Sequence, residues 1–166
     1  MYALNNSSVT VFNITDGNFQ QVNEVSIGSG METIFSRGEF LYFGAADAMY
    51  IYSISNPANP GFVFRYEHIV SCDPVIVQGN RAYVTLRGGT FCNRGTNALE
   101  IIDITDPYNP QLIANHPMDS PHGLGIDNNI LFICEGENGV KVFDVSDEIN
   151  LTMIDQRRDF FAYDVI

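Results

Sequence analysis

Residues 99–106 read LEIIDITD, and the same eight-residue pattern returns without a gap as VTVFNITD (9–16), MYIYSISN (49–56) and VKVFDVSD (140–147). Successive copies start 40, 50 and 41 residues apart. One column of the pattern holds Val11, Ile51, Ile101 and Val142, and another holds Ile14, Ile54, Ile104 and Val145, β-branched residues suited to a pleated, buried strand. Phe12, Tyr52, Ile102 and Phe143 fill a third column on the face opposite the first. A strand that is apolar on both faces must lie between two layers. Ser or Thr followed by Asp or Asn then stops the strand at 15–16, 55–56, 105–106 and 146–147, because these short side chains bond nearby backbone N–H groups. In the second and third copies, NPANP (56–60) and DPYNP (106–110) fix a tight turn.

Working outward, each copy is preceded by a hairpin. Short apolar strands are expected over 33–36, 74–78 and 123–127, turns at 37–39, 79–80 and 128–129, and returning strands at 40–43, 82–86 and 130–133. A fourth run follows the repeated strand, as in FVFRY (62–66) and QLIA (111–114). Four short strands every 40 to 50 residues predict an all-β fold, a β-propeller of four-stranded antiparallel blades. No stretch of ten or more residues has a helical period, so a βα solenoid is disfavoured.

The expected organisation is a single propeller domain or fragment over 1–166: a partial blade at 1–30, whole blades at 31–69, 70–118 and 119–159, and the first strand of a further blade at 160–166. MYAL (1–4) aligns with LYFG (41–44), a second strand with no first strand before it. The chain therefore reads as a fragment of a larger propeller; the alternative is closure of the two remnants into a small four-bladed ring.

Composition narrows the function classes. Eight Lys and Arg against twenty Asp and Glu give a formal charge of −12, and Lys141 is the lone lysine. Nucleic-acid binding requires clustered cations to neutralise phosphates, so it is excluded as an expectation. With 45% hydrophobic residues the chain can fill a core. No run of about 18 apolar residues occurs, so no membrane-spanning helix is expected, and the first six residues carry neither the basic nor the apolar part of a signal peptide.

The stretches LEIIDITDPYNPQLI (99–113), YIYSISNPANPGFV (50–63) and VKVFDVSD (140–147) resemble the LVIVD repeat, found in bacterial and archaeal proteins that are largely cell-surface or exported. SCDPVIVQGNRAYVTLRGGTFC (71–92) and SPHGLGIDNNILFICEGENGVKVFDV (120–145) are similar to versions in Bacteroidetes lipoproteins. The resemblance implies a propeller at the cell surface and supplies no catalytic motif. The turns after the first and fourth copies, DGNF (16–19) and DEIN (147–150), depart from the Asp/Asn-Pro-x-Asn-Pro pattern.

Of three cysteines, Cys72 and Cys92 are expected on one face of the same blade if 74–78 pairs with 81–85; the alternative is two free thiols in a reducing cytosol. A disulfide between them would stabilise by about 3 kcal/mol on the loop-entropy account and would point to an oxidising compartment. Cys134 closes a strand and reads as a small buried hydrophobe. No paired Cys or His spacing suggests zinc, and no cofactor is expected.

The first strands of a propeller surround its axis, so their starting residues converge at the channel mouth. Glu32, Asp73 and His122 align there, with Tyr163 at the last strand, while Arg87 and Glu135 end second strands nearby. Glu32, Asp73, Arg87, His122 and Glu135 are thus the candidate ligand-binding set; a solvated rim is the plainer reading. His68 and His116 are expected in loops between blades. No nucleophile elbow, phosphate loop or dinucleotide fingerprint occurs. The expected function is non-enzymatic: an exported module, extracellular, at the cell surface or periplasmic, that binds a protein, glycan or other extracellular ligand through loops at one face. The alternatives are a hydrolase or metal-dependent enzyme at the channel mouth, and an architectural spacer.

Overall fold

The computed structural model describes residues 1–67, 74–88 and 96–166. Among them lie four antiparallel sheets and no helix. The first sheet has three strands, β1 (Tyr2–Leu4), β2 (Ser8–Thr15) and β3 (Asn18–Ser26). Three four-stranded sheets follow in chain order. They are β4 (Met31–Arg37), β5 (Phe40–Ala45), β6 (Ala48–Ser53) and β7 (Gly61–Glu67); β8 (Val75–Gln78), β9 (Arg81–Leu86), β10 (Ala98–Asp103) and β11 (Gln111–Pro117); and β12 (Leu124–Asp127), β13 (Ile130–Cys134), β14 (Val140–Asp144) and β15 (Thr152–Arg157). No helix of the described residues is long and apolar enough to cross a membrane.

The repeated segments become β2, β6, β10 and β14, each next to the outermost strand of its sheet. Three of these strands end before the last apolar column. Ile54, Ile104 and Val145 lie just past the ladder, and each donates its N–H to the hairpin turn of its own sheet, at Glu39, Asn80 and Asn129. The column therefore plugs the end of each sheet. A register shift recurs between the first and third columns, at Val11/Phe12, Ile51/Tyr52, Ile101/Ile102 and Val142/Phe143. Such a bulge in every copy increases the local twist, which suits sheets that fan out from a common line.

Three cores lie between successive sheets. Val9, Leu41, Phe43 and Tyr52 fill the first, Tyr42, Ile51, Val84 and Ile102 the second, and Leu99, Ile101, Ile133 and Phe143 the third. Alternate residues of one strand thus serve different cores, Ile51 with the following sheet and Tyr52 with the preceding one. The strands β1, β4, β8 and β12 touch their neighbours in that order, so the arrangement is propeller-like. No ladder among the described residues joins the last sheet to the first.

The expectation that both β-branched columns are buried holds for Val11, Ile51, Ile101, Ile104 and Val145, is met in part by Ile54 and fails at one position in each outer copy. Ile14 is 47% exposed and Val142 half-buried, because among the described residues no further sheet covers their faces. Residues 160–166, expected as a first strand, lie alongside β12 but form only an isolated bridge, Gly136 with Ala162. His116, expected in a loop, sits within β11 opposite Leu99.

In each of the three four-stranded sheets, the loop between the two outer strands fastens onto the preceding sheet. The Tyr2 hydroxyl donates to the Pro57 carbonyl at 3.0 Å, and Asn23 Nδ2 donates to that of Ala58 at 2.9 Å. Tyr108 meets Phe40 edge-on, with ring centroids 6.2 Å apart. In the last sheet, where the prolines are missing, Glu148 replaces them: its Oε1 is 2.5 Å from Arg81 Nε, and its carbonyl accepts from His116 Nε2 at 2.8 Å. The departure at 147–150 therefore changes the chemistry of the fastening and keeps its place.

Candidate functional site

His122 precedes β12, and its position is fixed from several sides. Its backbone N–H donates to Cys134 O at 2.7 Å, and its carbonyl accepts from the Thr85 hydroxyl at 2.8 Å. The ring fits because residue 136 is glycine. Gly136 has φ +58°, and a Cβ there would lie 2.9 Å from His122 Cε1. Nδ1 donates to the Ser120 carbonyl at 2.7 Å, which leaves Nε2 as an acceptor for Arg87 Nη1 at 2.9 Å. The imidazole is neutral in this arrangement. Burial holds its pKa below the usual value, with the Arg87 charge acting the same way, against an upward pull from the Ser120 bond and Glu135.

Arg87 and His122 line a cavity of about 250 Å³ together with Glu32, Thr33, Pro74, Gly123, Tyr163 and Asp164. These residues come from three successive sheets and the terminal segment. Burial raises the carboxyl pKa of Glu32, and the Arg87 charge opposes that rise. The terminal segment is held by Gly123 N–H donating to Tyr163 O at 3.0 Å and by paired bonds between Gly136 and Ala162, each 3.0 Å. A Cβ on Gly123 would lie 2.1 Å from Asp164 Oδ1, so only glycine lets the segment approach this closely. The Tyr163 ring lies 5.0 Å from the His122 ring and the Phe161 ring 6.1 Å from it.

Of the five candidates, Glu32, Arg87 and His122 meet at this cavity. Asp73 lies outside the described residues, as do Cys72, Cys92 and His68. Glu135 does not line the cavity. It is fully buried, where its Oε2 accepts from the backbone N–H groups of Asp119 at 3.1 Å and Ser120 at 2.5 Å, and Lys141 Nζ approaches its Oε1 at 3.3 Å. Lys141 Nζ also reaches Asp119 Oδ2 at 2.9 Å. Glu135 therefore ties down the 119–122 loop that presents His122. Asp164 escaped the sequence reading, and its signal was the glycine at 123 rather than any feature of its own. Cys134 is buried and free, its thiol pushed up to about 11 by burial. Among the described residues no group of His, Cys, Asp or Glu is placed to hold a metal ion.

The LVIVD repeat family matches residues 33–68 and 71–116. The curated proteins contain no match. Among solved structures, the chain is similar to the computationally designed Ika8 protein, with 16% identity over 97% of this chain and 49% of that one, at a TM-score of 0.65. The chain spans about half the length of that protein, and at this identity the likeness concerns the fold alone. The two matched stretches overlap the β4–β7 and β8–β11 sheets, so the likeness to LVIVD repeats is found at two of the four sheets of the described residues.

Proposed function

We propose that this chain is a non-enzymatic binding module of an exported or cell-surface propeller, and that its ligand enters the cavity between Glu32, Arg87 and His122. One observation carries the reading. Polar groups from three sheets converge on a concavity, and His122 is fixed there with its ring neutral and one nitrogen engaged by Arg87. Converging polar groups in a preformed hollow are the usual mark of a ligand site. The non-enzymatic part rests on the absence of a nucleophile motif in the sequence. The exported compartment rests on the resemblance to surface proteins and on the Cys72–Cys92 spacing.

The test is a screen of the purified chain against immobilised glycans and peptides, with Arg87→Ala and His122→Ala in parallel. A ligand lost with both variants, at an unchanged thermal midpoint, supports the reading. A ligand retained by both moves the site to other loops, and turnover of a bound ligand would favour the hydrolase alternative.

A further inference from the structure

The cavity also carries information about what would fill it. Among the described residues, the guanidinium that lines it is already engaged, since Arg87 donates to His122 and its charge acts on Glu32. An anionic ligand would compete with Glu32 for that cation and also meet the carboxylate of Asp164, which lines the same cavity. A cationic ligand would meet the guanidinium itself. What suits a lining of two carboxylates and a guanidinium is a neutral molecule whose hydroxyls both donate and accept. The lining supplies a second kind of contact: the Tyr163 ring lies beside that of His122 and the residue is 64% exposed. Rigid aromatic rings of this kind offer an apolar surface at small entropic cost. A volume of about 250 Å³ lies below the range of roughly 300–1,000 Å³ for drug-sized ligands and suits one small ring.

We infer that the cavity is a subsite for a single neutral pyranose residue of a glycan, with Glu32, Asp164 and Arg87 bonding its hydroxyls and Tyr163 packing against its C–H face. This rests on the binding reading above and narrows its ligand class. Glycine at 123 is part of the device, because it brings Asp164 and the Tyr163 backbone up to the mouth. Tyr163 and Asp164 are the specificity-determining residues, and Arg87 is shared with any ligand of the site.

The experiment is a titration of the ¹⁵N-labelled chain with glucose, galactose, mannose, N-acetylglucosamine and glucuronate, followed by amide shifts. At least one neutral sugar is expected to bind in the millimolar range, with shifts centred on Gly123, Tyr163 and Asp164. Glucuronate should bind more weakly than its neutral counterpart, glucose. Tyr163→Ala should weaken sugar binding at least tenfold, and Gly123→Ala should do the same by displacing the segment. No shift from any neutral sugar up to about 50 mM, where even a site holding its ligand by some 2 kcal/mol would begin to fill, overturns the inference. Preference for glucuronate also overturns it. A peptide that binds with dependence on Arg87 and His122 in the screen would retain the binding reading while defeating the sugar. Failure of every ligand to depend on Arg87 defeats both.

Discussion

Arg87 Nη1 donates to His122 Nε2 at 2.9 Å across the boundary between the β8–β11 and β12–β15 sheets. A guanidinium can make this bond only to an unprotonated ring nitrogen, so the contact between the two sheets depends on the charge state of one imidazole.

The sign of that dependence follows from the depressed pKa of His122. The unfolded chain takes up a proton near pH 6.5, before the folded chain does. The stabilising contribution is complete above about pH 6.5 and is lost as pH falls from there toward the lower folded value. Urea unfolding at stepped pH between about 7.5 and 5.5 should show falling stability, and His122→Asn should flatten that part of the slope.

Glu135 is the strongest structural lever. Glu135→Ala removes the acceptor of two backbone N–H groups and leaves Lys141 with Asp119 alone. Breaking a buried pair from one side costs about 3 kcal/mol. Chemical denaturation should show a loss of that order, with Glu135→Gln milder.

The site was partly legible because a propeller's topology makes positions in different repeats equivalent. Glu32 and His122 could be placed together from alignment alone, as could Tyr163. Glu135 could not, because its main partners are backbone groups of the 119–122 loop, which leave no mark in the sequence. A polar column at Tyr50, Glu100 and Lys141, inside an otherwise apolar strand, was the available hint. Each of these makes polar contacts at the outer part of its sheet, Tyr50 with Asp47 and Arg65, Glu100 with Asn115, and Lys141 with Glu135 and Asp119. The sheets themselves were legible in full outline, since strand periodicity and turn residues act locally. Exposure of Ile14 was not, because burial depends on whether another sheet stands beside it.

The fastening of Glu148 to Arg81 should appear as coupling between two sheets. Both side chains are partly exposed, and Arg81 also pairs with Asp103 at 3.2 Å. A double-mutant cycle of Arg81→Ala and Glu148→Ala should give a coupling of about 1 kcal/mol. Additivity would show that this ion pair does not couple the two sheets.

Cys72 and Cys92 are expected to be joined in protein kept under oxidising conditions, with Cys134 free. Non-reducing peptide mapping should recover one linked pair, and Cys134 should react with alkylating reagents only on unfolding because its thiol is buried. Two alkylatable thiols at 72 and 92 would remove the argument for an oxidising compartment.

The loop fastenings all point the same way along the chain. Pro57 and Ala58 secure the β1–β3 sheet, Tyr108 the β4–β7 sheet, and Glu148 the β8–β11 sheet. Each of these three sheets is pinned at its rim by the one that comes after it, as roof tiles are held by the next course. Erosion of such a stack has a direction. Whichever sheet has no successor is the least secured, and its opening releases the sheet before it, so proteolysis or hydrogen exchange should advance from higher residue numbers toward lower ones.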